Sequence, residues 1–86
     1  MLRIIRIVGS GGVETLRLEG KFLEPWVDEV REAYALSKAQ AAYTCLDLSA
    51  LTFVDAAGVN LLRVLIQGGV EIVASSSYVA ELLRIG

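Results

Sequence analysis

Leu46-Asp47-Leu48-Ser49-Ala50-Leu51-Thr52-Phe53-Val54-Asp55-Ala56-Ala57-Gly58 is the stretch that decides the fold. With Tyr43 to Cys45 before it, the segment through Leu48 predicts a β-strand. A short link carrying Ser49 and Thr52 leads to Phe53-Val54. Asp55 then stands where a side-chain oxygen caps a helix running to Gln67 and stopped by Gly68-Gly69.

Toward the N-terminus, Leu2 to Val8 and Glu14 to Glu19 predict two strands joined by a hairpin turn at Gly9-Ser10-Gly11-Gly12. Leu16 and Leu18 fall on one face of the second strand, and Thr15, Arg17 and Glu19 fall on the other. Glu24-Pro25 opens a helix: proline suits its first turn, Glu24, Asp28 and Glu29 suit its positive end, and Lys38 its other end. Trp26, Val30 and Ala33 share its inner stripe, leaving Asp28, Arg31 and Glu32 to water.

Toward the C-terminus, Val70 to Ala74 predicts a strand with Val70, Ile72 and Ala74 on one face, and Ser77 to Ile85 a closing helix. The order ββαβαβα, with strand-helix-strand steps, implies an α/β fold: parallel pairing with right-handed crossovers and one antiparallel hairpin. With 86 residues, the chain is read as a single domain, 1–86.

Composition narrows the function. Eight Lys and Arg against ten Asp and Glu give a net charge of −2 with both signs dispersed, so no basic cluster points to nucleic acid. There is no histidine, the commonest metal ligand and general base, and Cys45 has no disulfide partner within the chain. No signal peptide is expected at Met1 to Gly9, where Arg3 and Arg6 interrupt the apolar residues. Val59 to Ile66 is too short to span a bilayer, so a soluble, cytoplasmic protein without direct membrane insertion is expected. A mean hydropathy of +0.58 is high for a small domain and predicts apolar surface that meets a partner.

The deciding stretch resembles the signature of STAS domains, in which a strand reading Leu-Asp-Leu-Ser leads to Asp-Ser-Ser-Gly at a helix start. Leu16-Arg17-Leu18-Glu19-Gly20, Val70-Glu71-Ile72-Val73 and Val79-Ala80-Glu81-Leu82-Leu83 extend the resemblance over nearly the whole chain. It implies a STAS-like mixed sheet, shortened at the C-terminus, since such domains typically continue with one more strand and helix. That shortfall would leave an edge or groove uncovered, so a homodimer is a further expectation.

The resemblance also implies a role. In anti-sigma factor antagonists of this family, a kinase-like anti-sigma factor phosphorylates a serine or threonine of the Asp-Ser-Ser-Gly loop and the complex is released. The matching loop here is Asp55-Ala56-Ala57-Gly58, so the phosphoacceptor position falls on Ala57, whose methyl group has no oxygen to phosphorylate. A non-catalytic interaction module without that switch is therefore expected, with no cofactor and no metal.

On the second helix, Asn60, Arg63 and Gln67 form one polar stripe, and Ala57 and Val64 share an outer line beside it. Asp55, Ala56, Ala57, Gly58, Asn60, Arg63 and Val64 are the candidate partner-binding residues; the bland reading is a hydrophobic surface helix. Serines 75 to 77 lie in a later turn, where Ser77 is a candidate displaced phosphorylation site and ordinary turn chemistry the alternative. Two partner classes follow from the resemblance: a kinase-like anti-sigma factor, or a lipid-trafficking ABC transporter complex on which the chain docks as an accessory subunit. Some relatives bind nucleotides, but no phosphate loop, metal set or catalytic trio is visible here.

Overall fold

Strand β1 (Leu2–Val8) turns through a short 3-10 segment at Ser10–Gly12 into strand β2 (Val13–Phe22), and the two pair antiparallel. The computed structural model that shows this describes residues 1–84. A second 3-10 turn, Glu24–Trp26, carries Pro25 in its first positions and delivers the chain into helix α1 (Val27–Gln40). Strand β3 (Tyr43–Val54), helix α2 (Ala56–Gln67), strand β4 (Glu71–Ser75) and helix α3 (Ser77–Leu83) complete the expected order ββαβαβα. The C-terminal part of the expected last helix, Ile85, lies outside the described residues.

The sheet has the order β1-β2-β3-β4, with β2 to β3 and β3 to β4 parallel. Each crossover therefore steps in the same direction, and right-handed connections stepping one way set their helices on one face. The packing agrees. Val30 of α1, Leu61, Leu62 and Leu65 of α2 and Val79 of α3 join Leu16, Leu18, Leu46 and Leu48 of the strands in one apolar cluster. Complete burial of each such leucine is worth roughly 1.5–3 kcal/mol, so this layer stabilises the fold.

The link expected between Leu48 and Phe53 is not a link. β3 runs unbroken from Tyr43 to Val54, and Ser49 and Thr52 are strand residues. Apart from Cys45 on the opposite face, its buried residues run Thr44, Leu46, Leu48, then Leu51, then Val54: steps of two give way to steps of three. Pairing with β2 slips at the matching places, between Arg17 and Glu19 and between Gly20 and Lys21. Such bulges add a residue to one strand and restore its inward face. Asp47 consequently lies inside the strand rather than at its end. β2 likewise extends past its expected end at Glu19 to Phe22.

A buried polar group sits at the end of the sheet where β2 and β3 begin. Glu14 accepts from Nε and Nη2 of Arg6, at 3.1 and 2.9 Å, and from the Ser37 hydroxyl at 2.8 Å. Ser37 and Thr44 share a further bond at 3.0 Å. The Arg6 and Ser37 bonds hold the Glu14 carboxyl below its ordinary range, because both favour the charged form.

Candidate functional site: a groove between two helices

At the far end of the parallel strands the chain turns from β3 into α2, and Asp55 organises that turn. Its backbone is extended, and Oδ1 accepts from the Gly58 N–H at 2.9 Å, capping the helix as expected. Oδ2 accepts from the Glu24 N–H at 2.8 Å, and the Asp55 N–H donates to the Phe22 carbonyl at 3.1 Å. One residue thus fastens the start of α2 to the chain leaving β2.

Gly58 fits closely beneath this turn. A Cβ there would lie 2.7 Å from Val54 Cγ1 and 2.9 Å from the Phe22 carbonyl oxygen. Only a hydrogen fits, which draws α2 tight against the strand ends. The Val54 N–H donates to the Tyr78 hydroxyl at 3.3 Å, so α3 braces the same corner.

Above it, α1 and α2 leave an open groove of about 390 Å³. Ala57, Asn60, Leu61 and Val64 form its α2 wall, and Glu24, Val27, Asp28 and Arg31 face them from the α1 side. Val64 is 61% exposed, and Ala57 is half-buried with its methyl group on the groove lining. The floor is apolar and the rim is charged, including an Arg31–Asp28 pair at 2.6 Å. An apolar centre inside a polar rim is how protein interfaces are built.

Of the seven residues singled out from the sequence, the structure brings Ala57, Asn60 and Val64 together on the groove wall. Asp55 and Gly58 lie at its base as supports, and Ala56 is exposed at the head of the helix. Arg63 is not on the groove wall: it reaches the other way and donates to the Leu82 carbonyl of α3 at 3.1 Å. This satisfies one of the carbonyls left free where a helix ends. Ser76 caps α3, accepting from the Val79 N–H at 3.2 Å, while Ser77 is exposed in the first helical turn.

The α1 wall was not anticipated. Asp28 and Arg31 read as solvent-facing from helical period alone, and nothing local ties them to a segment some thirty residues on. The contact from Glu24 to Asp55 closes that distance, and it is a tertiary bond without a sequence signature.

Elsewhere, Cys45 is buried in β3, and burial pushes its thiol above the ordinary range, with the Glu71 carboxylate adding to the shift. Asp47 accepts from the Ser49 hydroxyl at 2.7 Å and the Ser49 N–H at 3.0 Å, which lower its carboxyl. Among the described residues, no cluster of three or more His, Cys, Asp or Glu is placed to hold a metal ion. No described helix is long and apolar enough to cross a membrane.

No protein-family model matches the chain, and no curated protein matches it. Among solved structures, it is similar to the anti-sigma factor antagonist SpoIIAA in its unphosphorylated form, at 17% sequence identity and a TM-score of 0.65. The match covers 98% of this chain and 84% of that one. The fold is that of a STAS domain: a mixed four-stranded sheet with its helices packed as described above.

Proposed function

We propose that the chain is a non-catalytic interaction module whose α1–α2 groove docks a kinase-like anti-sigma factor, without phosphorylation control at the loop before α2. The observation that carries this reading is the meeting of Ala57, Asn60 and Val64 on one open, apolar-centred groove. Ala57 stands in the position that the STAS resemblance gives to the phosphoacceptor, on the lining of that groove. A phosphate there would face the carboxylates of Glu24 and Asp28 on the opposite wall, and like charge with desolvation would expel a partner. A methyl group carries no such signal, so binding is constitutive.

Catalysis plays no part in this reading, because the groove holds no nucleophile with a base beside it. The test is a photo-crosslinking residue at Asn60, exposed to lysate of the native host. Capture of a kinase-like anti-sigma factor supports the proposal. Capture of a transporter subunit would overturn it in favour of an accessory role in a transport complex.

A further inference from the structure

β1 is an edge strand, bonded to β2 on one side. The Lys21 N–H donates to the Met1 carbonyl at 3.2 Å, and the Gly9 N–H donates to the Val13 carbonyl at 2.8 Å. Both pairs continue the β1–β2 register, and bonded pairs alternate along an antiparallel ladder. Arg3, Ile5 and Ile7 therefore bond inward, and the backbone groups of Leu2, Ile4, Arg6 and Val8 point outward from the sheet.

Edge strands are ordinarily protected by lysine, proline or a bulge. β1 contains no lysine and no proline, and its pairing with β2 runs without a register shift. Of its two arginines, Arg6 is engaged with Glu14 at 2.9 Å, while Arg3 is largely exposed and lies 3.9 Å from Glu19. Three large apolar residues at or in this strand stay exposed: Met1 at 84%, Ile7 at 45% and Val8 at 68%.

A second copy can continue the sheet antiparallel about a two-fold axis normal to it, provided residues of the same face meet. An axis through Arg3 or Arg6 sets a guanidinium against its own copy, which is destabilising. An axis through Ile4 makes about six new bonds and sets Leu2 against Arg6. An axis through Ile5 makes about eight, using the whole strand. In that register Ile5 meets its copy, Leu2 meets Val8, Ile4 meets Arg6, Arg3 meets Ile7, and no two like charges are directly opposed; the two Arg6 side chains are diagonal neighbours, each paired with its own Glu14. β4, the other edge, has five residues against seven in β1 and offers a shorter ladder.

We infer that β1 is a homodimerisation edge, with two copies of the chain joined antiparallel about Ile5 into a continuous sheet. The inference rests on β1 alone and stands whether or not the groove docks an anti-sigma factor.

The register is tested by sedimentation of the wild-type chain and by two cysteine variants under mild oxidation with oxidised glutathione. Across the axis the Cα atoms of residue 5 would be about 4.5 Å apart, as in a non-hydrogen-bonded pair, which a disulfide accepts. Those of residue 7 would be about 14 Å apart, four residues out of step. The expected result is a two-chain mass, ready cross-linking of Ile5→Cys and none of Ile7→Cys. Cys45 stays silent because it is buried. Ile5→Lys, checked for folding by circular dichroism, is expected to sediment as one chain. A one-chain mass for the wild type at every concentration overturns the inference. So does Ile7→Cys linking as readily as Ile5→Cys, or a dimer that survives Ile5→Lys and is trapped instead by Val73→Cys on β4.

Discussion

Asp55 and Glu24 are joined by a 2.8 Å hydrogen bond from the Glu24 N–H to Oδ2, while Oδ1 of the same carboxylate caps α2. The two walls of the groove therefore share one anchor. Asp55→Ala removes both bonds and is expected to cost about 1–2 kcal/mol, as the loss of a strong helix cap does. Asp55→Asn keeps one accepting oxygen and is expected to lose less. Urea unfolding of the two variants measures the difference, and equal losses would show that the oxygen the asparagine retains contributes nothing.

Gly58 and Ala57 are neighbours with opposite tolerances. Gly58→Ala forces a methyl group against Val54 and the Phe22 carbonyl, and is expected to cost about 1–3 kcal/mol by overpacking. Ala57→Ser adds one oxygen at the open groove and is expected to change stability by less than about 0.5 kcal/mol. On the proposed function, the serine variant gains a phosphate when incubated with a kinase-like anti-sigma factor and ATP, and the wild type does not. Mass spectrometry reads the gain.

Val64 projects from α2 beside Asn60 and touches the groove rather than the core. Val64→Glu is expected to leave thermal unfolding within a few degrees of wild type, since exposed substitutions are nearly neutral. On the proposed function, it is expected to weaken partner capture at least tenfold. An unchanged affinity would move the docking surface away from the groove.

Acid should loosen the fold through Glu14 and Asp47. Both carboxyls titrate below their ordinary values of 4.5 and 3.8 in the folded chain. A lowered folded pKa contributes stability above the unfolded value, and this is lost as pH falls through the folded one. Stability is therefore expected to decline as pH drops from about 4.5. Glu14→Gln should flatten that slope and lower stability at neutral pH, because the Arg6 and Ser37 donors lose their charged acceptor. Denaturation at a series of pH values shows both effects.

Cys45 offers a probe of opening. Its thiol is raised by burial and has little access to solvent, so alkylation at neutral pH should be slow in the native chain. The rate is expected to rise with denaturant in step with global unfolding, and fast labelling without denaturant would show β3 opening by itself.

The sequence carried the element order because its punctuation is local: the glycine turn after Val8, Pro25, the Asp55 cap and Gly68-Gly69 each act within a few residues. β3 escaped because a bulge belongs to a pair of strands. The step from Leu48 to Leu51 makes sense only opposite Arg17 and Glu19. Arg63 shows a different limit. Helical period gives the direction in which a side chain leaves the axis, but a side chain this long ends wherever an acceptor waits, here the Leu82 carbonyl. The Glu14, Ser37 and Thr44 network had no signal either, since its members come from three elements and are ordinary residues in each.

Strand order in this sheet repeats chain order. A ribosome therefore delivers the pieces in the sequence in which they are laid down, and each new strand joins the edge just completed instead of being inserted between two others. Assembly can follow synthesis from the amino end, with one helical crossover to close at each parallel step. The groove walls are present once Gln67 has emerged, whereas Tyr78, which braces its corner, arrives last.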